Sequence, residues 1–355
     1  MSSHQAPVQS LGCRYYGALD VAKFVCALLI LMAHFASERA SFPALLDQAF
    51  SIYIVAVPFF YACSGFLLFD RLNCIPPAQH KAQLAKNIRR IVLVYAAWSA
   101  IYFAFVLARW WRDGTSVSEV LRYVHTSLVF TTYPTIWFLP ALAVALVITY
   151  LLTRRLAIQT VFVVSLGFYL IGSVGYSYAF VQDAAPWLHR VYQTYSDVFV
   201  TTRNGVFSGF TFVALGALVS VRKERMRVAA SGALALASLV LVVVEALVLR
   251  LVFANVGADT VFALIPFTYF LLQFLLGLHL EPRRTYRSLR SLSVLVFLSQ
   301  RLFLTAIPSI LPWPVMDALA ANAYVGLAAI IAITLGFSVV VLWWSERLRV
   351  LRVLY

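Results

Sequence analysis

Charged residues are scarce in this chain: they make up 12% of its 355 residues, whereas hydrophobic residues make up 62%. A soluble domain carries about twice that share of charge. Apart from roughly the first fifteen residues, no polar stretch is long enough to fold by itself. The composition therefore excludes a soluble domain among these residues and is typical of a protein that crosses a membrane many times.

Cysteine is also rare. The four cysteines lie in predicted spans or in segments that we place in the cytoplasm, where disulfides are unusual: Cys13, Cys26, Cys63 and Cys74. No close cluster of His, Cys and carboxylate residues has the spacing of metal ligands. We therefore expect neither a disulfide framework nor a metal cofactor.

Long apolar runs, in contrast, are abundant. About ten of them approach the roughly 20 residues that a transmembrane helix needs. They are uniformly apolar, whereas strands that span lipid alternate with period two. We predict an all-α, polytopic transmembrane helical bundle over residues 18–345, with a polar N-terminus over 1–17 and a basic C-terminus over 346–355. The predicted spans are 18–37, 50–70, 90–109, 136–153, 156–175, 205–221, 228–253, 260–280, 291–311 and 322–345.

The net charge of +14 does not indicate a nucleic-acid-binding protein, because the basic residues form short clusters between the apolar runs. Most of these clusters fall in alternate connecting segments, as expected when positive charge keeps those segments in the cytoplasm. We therefore predict that both termini are cytoplasmic, that the chain contacts membrane lipids and that it binds no nucleic acid.

The first apolar run, LDVAKFVCALLILMAHF, contains two ionisable residues, Lys23 and His34. Eleven residues separate them, which on a helix is about 20° past three full turns and roughly 16 Å along the axis. Both side chains therefore project from one face at different depths. We interpret this face as catalytic, because buried ionisable groups are costly. A snorkelling Lys23 and a His34 that bonds a neighbouring helix would explain the same pattern.

His34 is the best candidate for acid–base chemistry, because a neutral imidazole can take a proton from a hydroxyl group and return it. Asp20 has a structural explanation. It precedes Lys23 by three residues, and this spacing predicts an ion pair between them on the helix.

Two further segments contain candidate binding residues. In VPFFYACSGFLLF, Ser64 and Gly65 form a patch of small residues that would let another helix, or a ligand chain, approach the backbone. Lys86, Arg89 and Arg90 mark the start of the third span, where cations could bind phosphate groups. Anchoring of the cytoplasmic end of the span explains the same cations and, on the residues alone, is the more common role for them.

Five segments of the chain, taken in order, resemble segments of the acyltransferase-3 family of integral-membrane acyltransferases. This family includes enzymes that O-acylate bacterial surface glycans, and the resemblance covers nearly the whole chain. The segments are LDVAKFVCALLILMAHF, VPFFYACSGFLLF, KNIRRIVLVYAAWSAIY, YPTIWFLPALAVAL and TRNGVFSGFTFVALGALV.

The chain departs from the family pattern at three places. Lys23 stands where many members have arginine, which keeps the charge but loses the bidentate fork. At the third span, the family's basic pair fits Lys86 with Arg89, or Arg90 with Asn87 in the partner's place. Near the C-terminus, SLSVLVFLSQRLFL has glutamine and arginine where the family often has a second histidine.

The resemblance implies a cytoplasmic acyl-CoA donor, most often acetyl-CoA, at the bacterial inner membrane. It also implies an acceptor hydroxyl on an extracytoplasmic or lipid-linked glycan. His34 would be the general base or would carry the acyl group briefly, and both routes stay open. Lys23 would position the donor.

The remaining roles are hypotheses that combine this resemblance with the positions of the residues in the predicted spans. Cations at the third span would bind the CoA phosphates, and the thioester would pass the small-residue patch to reach the histidine. The candidate donor contacts are Lys86, Arg89, Arg90, Ser64 and Gly65. The candidate acceptor contacts are Arg203, Asn204 and Trp137.

Other classes of function fit the composition as well. A small-molecule transporter or permease would also use intramembrane Lys and His, although the paired broken helices of such proteins are not evident. A non-catalytic membrane partner in envelope assembly is a further alternative. A membrane glycosyltransferase fits less well, because the first outer loop lacks a close acidic pair.

Overall fold

α-Helices dominate the computed structural model, which is 81% helical and has no strand among its described residues. The structure describes residues 15–38, 51–222, 225–253, 257–310 and 322–355. Most of the polar N-terminus predicted over 1–17 lies outside these ranges. The helices are α1 Gly17–Ser37, α2 Ala56–Asn73, α3 His80–Asp113, α4 Val117–Val129, α5 Phe138–Thr153, α6 Ile158–Val174, α7 Pro186–Phe199, α8 Phe210–Val221, α9 Val228–Val252, α10 Leu264–Gly277, α11 Arg284–Arg301 and α12 Ala323–Ser345.

The predicted transmembrane bundle is confirmed. Six helices are long and apolar enough to cross a membrane, namely α1, α2, α3, α9, α11 and α12. Four shorter apolar helices, α5, α6, α8 and α10, coincide with the other predicted spans. The π-helical turn Gly205–Gly209 continues directly into α8 and lengthens that span. The chain is thus a multi-pass membrane protein.

Helices α4 and α7 occupy the two longest segments that the sequence places between spans. Ser116 begins α4 with a capping box, in which its side chain and that of Glu119 satisfy each other's backbone N–H groups. Backbone and side-chain hydrogen bonds from Ser116 lower the pKa of the Glu119 carboxyl. Trp111 and Trp187 are 93% and 68% exposed, which suits aromatic side chains at a membrane surface.

Helix α3 is much longer than the span predicted at 90–109. It contains 34 residues, or about 50 Å of helix, whereas the bilayer core is about 30 Å thick. Its first turns, which contain Lys86, Arg89 and Arg90, therefore extend beyond the apolar part. The polar segment before the span contains no glycine or proline, so the helix of the span extends through it without a break.

The core of the bundle depends on close pairing of helices, with α1 against α11 and α2 against α8 as its most extensive contacts. Gly65 of α2 faces the backbone of Val213, and Gly216 of α8 faces the backbone of Ala62. A Cβ atom at either glycine would overlap the facing carbonyl oxygen. Small residues let membrane helices approach this closely, so Gly65 is a packing residue of the α2–α8 contact.

Replacing Gly65 by alanine should therefore destabilise the protein by about 1–3 kcal/mol, because the added methyl group forces two backbones apart. Thermal unfolding in detergent measures the effect. Gly167→Ala is the matched control, since nothing lies within 4 Å of a Cβ atom at that position. Equal unfolding temperatures for the two variants would contradict the close α2–α8 contact.

Candidate active site

Two cavities lie at different levels of the same helices. The basic cavity, of about 480 Å³, is lined by residues of α1, α2, α3, α5 and α11 and takes its name from five cationic residues in its wall. The histidine cavity, of about 280 Å³, is lined by the opposite ends of α1, α2 and α11 and by residues near the starts of α5 and α8. Lys23 lines the basic cavity and His34 lines the histidine cavity, so their shared helix face runs from one cavity to the other.

The wall of the basic cavity is strongly positive. No Asp or Glu side chain is present among its described lining residues, and much of the rest of the wall is apolar. Its five cations are Lys23, Arg71, Lys86, Arg90 and Arg290. A cavity with this lining suits a ligand that combines several phosphate groups with a less polar chain.

Arg290 is held in place by a buried carboxylate. Its Nε and Nη2 atoms each donate to one oxygen of Asp20 at 2.8 Å, and Asp20 is 1% exposed. The predicted pair of Asp20 with Lys23 is therefore wrong. The guanidinium of a neighbouring helix offers a planar fork that satisfies both carboxylate oxygens, which a single ammonium group on the same helix does not.

The predicted donor residues divide between this cavity and other places. Ser64, Lys86 and Arg90 line the cavity, and the Ser64 hydroxyl donates to the carbonyl of Phe60 at 2.8 Å. Gly65 does not line it, because it faces α8 instead. Arg89 is exposed and also lies outside the lining.

Arg71 and Arg290 also line the cavity, although in the sequence they belong to the basic clusters that indicate only cytoplasmic connecting segments. For Arg71 a signal was available, because it follows the Ser64–Gly65 patch by about two helical turns. Arg290 gave no comparable signal, since only the packing of α11 against α1 brings it to the wall.

In the histidine cavity, His34 is bonded to Gln300 of α11. Nδ1 of His34 lies 3.1 Å from Oε1 of Gln300, and Nε2 of Gln300 donates to the carbonyl of Phe297 at 2.9 Å. The second bond requires the amide nitrogen to face Phe297, so the amide oxygen must face the imidazole. Nδ1 therefore donates its hydrogen to Gln300, which leaves Nε2 of a neutral ring as the basic nitrogen.

Arg203 lines the same cavity and forms an ion pair with Asp259. Its guanidinium lies over the rings of Trp137 and Tyr176, at 4.8 and 5.2 Å from their centroids. Burial lowers the pKa of Arg203, but Asp259, Tyr176 and Tyr53 together raise it by more, so the guanidinium stays charged. The cavity thus contains a positive and a negative group against aromatic walls.

Of the predicted acceptor contacts, Arg203 and Trp137 line the histidine cavity and Asn204 does not. Oδ1 of Asn204 accepts from the backbone N–H groups of Val206 and Phe207, at 2.9 and 3.2 Å. Its Nδ2 donates to the hydroxyl of Tyr195 at 2.9 Å. Asn204 therefore caps the turn that leads into α8 and fixes the backbone next to Arg203.

Arg301 also lines the histidine cavity and forms an ion pair with Glu38 just beyond the end of α1. In the sequence, Arg301 and its neighbour Gln300 indicate only a departure from the family pattern. The structure places both residues beside His34, since α11 packs along the whole of α1.

An aromatic layer lies between the two cavities. Phe297 lines both cavities, and Phe60 and Phe138 line only the basic one. The ring of Phe60 is 6.0 Å from that of Phe138 and 5.8 Å from that of Phe297, and Phe138 and Phe297 are also 5.8 Å apart. These three mutually contacting rings are called the ring layer below.

A comparison with protein-family models identifies the type of domain. A family model described as an acyltransferase domain, of the acyltransferase-3 type, matches residues 16–345. The chain is 27% identical over 215 residues to an amino-acid racemase of Enterococcus faecalis, covering 60% of this chain and 29% of that protein. No solved structure matches the chain significantly.

Two more racemases match a larger part of the chain. A second amino-acid racemase of Enterococcus faecalis is 25% identical over 302 residues, or 82% of this chain and 41% of the relative. A serine/alanine racemase of Enterococcus gallinarum is 25% identical over 289 residues, or 79% and 40%. The chain thus spans less than half the length of these relatives.

The ion pair of the histidine cavity leads to a stability prediction. Asp259→Ala leaves the Arg203 guanidinium without its carboxylate and should cost about 1–3 kcal/mol. Thermal unfolding in detergent measures the loss, and the exposed Asp183→Ala is the control. Adding Arg203→Met to Asp259→Ala should restore part of the stability, because no unpaired charge then remains. Equal stability of Asp259→Ala and Asp183→Ala would rule out a stabilising pair.

Proposed function

The chain belongs to the acyltransferase-3 family, and on this basis we propose that it transfers an acetyl group from acetyl-CoA to a hydroxyl group of an extracytoplasmic or lipid-linked glycan. The observation that carries the proposal is the arrangement of the two cavities. A cavity with five cations lies beyond the ring layer from a histidine whose basic nitrogen is defined by its partner. Phosphate binding and proton transfer are thereby assigned to separate places along one helix face.

The donor would occupy the basic cavity. CoA carries a diphosphate and a further phosphate on its ribose, and it ends in a thiol on a long, weakly charged arm. Lys86 and Arg90 of α3 would bind the phosphates together with Arg71, and Arg290 is presented to the cavity by Asp20. Lys23 lies on the helix face that leads to His34 and would guide the arm toward it.

In the reaction, the acyl carbon leaves the sulfur of CoA and forms an ester bond with the acceptor oxygen. Nε2 of His34 takes the hydroxyl proton as this bond forms and gives it to the departing thiolate, which becomes the free thiol. In a route through an acyl-histidine, Nε2 would first displace the CoA thiolate from the acyl carbon; the acceptor oxygen would then displace Nε2, and the hydroxyl proton would pass to the thiolate. Both routes need the unprotonated Nε2, and label retained on the protein before acceptor is added distinguishes them.

The acceptor would bind in the histidine cavity. Trp137, Tyr53 and Tyr176 contribute aromatic side chains to its wall, and Arg203 with Asp259 offers hydrogen-bonding groups of both kinds. Orientation follows from the same proposal: the basic cavity faces the cytoplasm of the bacterial inner membrane, where acyl-CoA is made, and the histidine cavity faces the opposite side.

A second candidate function is the uptake of a small zwitterion, and one observation favours it. Arg203 and Asp259 place opposite charges in one cavity, which would suit a carboxylate and an ammonium group of the same ligand. The racemases that the chain resembles are named for amino-acid substrates. Uptake of labelled amino acid into vesicles that contain no acyl-CoA would favour this function over acyl transfer.

The deciding experiment uses the purified protein in lipid with labelled acetyl-CoA. We expect release of free CoA that depends on an added glycan acceptor, with the label recovered in an ester of that acceptor. Intact acetyl-CoA after incubation with envelope glycan fractions would reject the proposal.

Replacing His34 by glutamine should reduce acyl transfer by at least about a hundredfold, because the amide fills similar space but accepts no proton at neutral pH. The rate of CoA release measures the effect, and thermal unfolding shows that the variant is folded. His125→Gln, on the exposed side of α4, is the control and should keep full activity. Full activity of His34→Gln would refute the assigned base.

The two neighbouring arginines of α3 form a matched pair for the donor site. Arg90 lines the basic cavity and Arg89 does not. Arg90→Ala should weaken acetyl-CoA binding by about 1.5–3 kcal/mol, the range for hydrogen bonds to charged groups, whereas Arg89→Ala should change it little. Calorimetric titration with a non-hydrolysable acetyl-CoA analogue measures both. Equal losses in the two variants would indicate general surface charge in place of a defined site.

A further inference from the structure

We propose that the ring layer of Phe60, Phe138 and Phe297 is a selectivity barrier that admits short acyl chains to the histidine cavity and excludes long ones. The inference rests on the proposed acyl transfer and specifies its substrate class, namely thioesters of short acyl groups. It concerns three residues that have no role in binding the CoA phosphates or in transferring the hydroxyl proton. The sequence alone indicates only that they lie in apolar spans.

The barrier follows from the position of the three rings. Phe297 is the one residue shared by the described linings of the two cavities. At two other places, consecutive residues of the chain line different cavities. Phe60 lines the basic cavity and Tyr61 lines the histidine cavity. Trp137 and Phe138 are divided in the same way. An acyl group that moves from one cavity to the other must therefore pass these rings.

The layer is closely packed. Each ring is within 6.0 Å of the other two, centroid to centroid, and Phe138 also lies 4.6 Å from the ring of Tyr61, which is fully buried. Aromatic rings at these separations are in contact. A packed layer of this kind accommodates a small group by side-chain rotation, whereas each added methylene group must displace more of the layer.

The backbone around the barrier is fixed, so the side chains must provide the opening. The carbonyl of Phe297 accepts the amide hydrogen of Gln300, and Gln300 in turn bonds His34. The carbonyl of Phe60 accepts the hydroxyl hydrogen of Ser64. Moving either backbone would disturb these bonds and, through Gln300, the orientation of the base. Rotation of the Phe297 ring opens the layer while leaving both bonds intact.

An apolar barrier also separates the chemistry of the two cavities. The cations of the basic cavity retain the phosphates, because charged groups do not enter a layer of aromatic rings without a large desolvation cost. Only the uncharged end of the donor, the thioester with its acyl group, is suited to enter. The layer thereby limits access of water to the thioester from the side of the basic cavity.

The test compares acyl-chain selectivity of the wild type with that of Phe297→Ala. Purified proteins in lipid are supplied with acetyl-, butyryl- or octanoyl-CoA and the same acceptor, and release of CoA is followed. We expect the wild type to prefer acetyl-CoA, and Phe297→Ala to raise the ratio of octanoyl to acetyl transfer at least about tenfold. Phe337→Ala is the control, because its ring packs on Phe303 and lines neither cavity.

Each outcome decides the proposal. An unchanged ratio in Phe297→Ala, with acetyl transfer retained, would overturn the barrier and leave acyl transfer standing. A wild type that consumes no acyl-CoA would overturn the proposed function and the barrier with it. If Phe297→Ala does not fold, Phe297→Leu and Phe60→Leu replace it and should raise the butyryl-to-acetyl ratio. The same shift in Phe337→Ala would show that loosened packing in general is responsible and would also overturn the proposal.

Discussion

The cost of placing an ionisable side chain among apolar helices is the constraint on which this structure depends. Lipid supplies no hydrogen-bond partners, so such groups need a protein partner or a cavity. Asp20 meets the requirement with Arg290, and Arg203 meets it with Asp259. His34 meets it with Gln300. Each pair joins segments that are distant in sequence, so the partners that satisfy these ionisable groups also hold the bundle in one arrangement.

The division into two cavities follows from the same constraint. The cations gather where α1, α2, α3 and α11 leave a cavity between them, and the neutral base lies at the other ends of α1 and α11. Between these levels the helices contribute aromatic side chains, which need no polar partner. In the proposed reaction, binding of the charged donor and transfer of its uncharged group would therefore take place in separate cavities, with the aromatic rings between them.

The departures from the family pattern acquire a physical meaning in this arrangement. A glutamine occupies a place where the family often has a second histidine, and its amide bonds both His34 and the backbone of Phe297. Such a bond defines the tautomer of the imidazole without adding a second ionisable group. Lys23, in place of an arginine, lines the cavity as a compact charge, and Arg290 forms the bidentate ion pair with Asp20.

Much of the fold and the main catalytic candidate were determined by the sequence itself. Uniform apolar runs specify helices, and the eleven-residue spacing places Lys23 and His34 on one face, because both properties depend on the pitch of a single helix. Only the tertiary structure determined which residues the polar side chains of this helix bond. Asp20 bonds Arg290 across 270 positions and His34 bonds Gln300 across 266.

Local patterns were least informative where two helices meet. Gly65 packs against α8, and Asn204 caps the turn before α8, although both lie in segments with candidate binding residues. Arg71 and Arg290 resembled ordinary topological cations until packing brought them to one wall. Periodicity describes which way a side chain points from its own helix. What it meets there depends on how the helices pack, and that is set by the fit of whole surfaces, which no single segment contains.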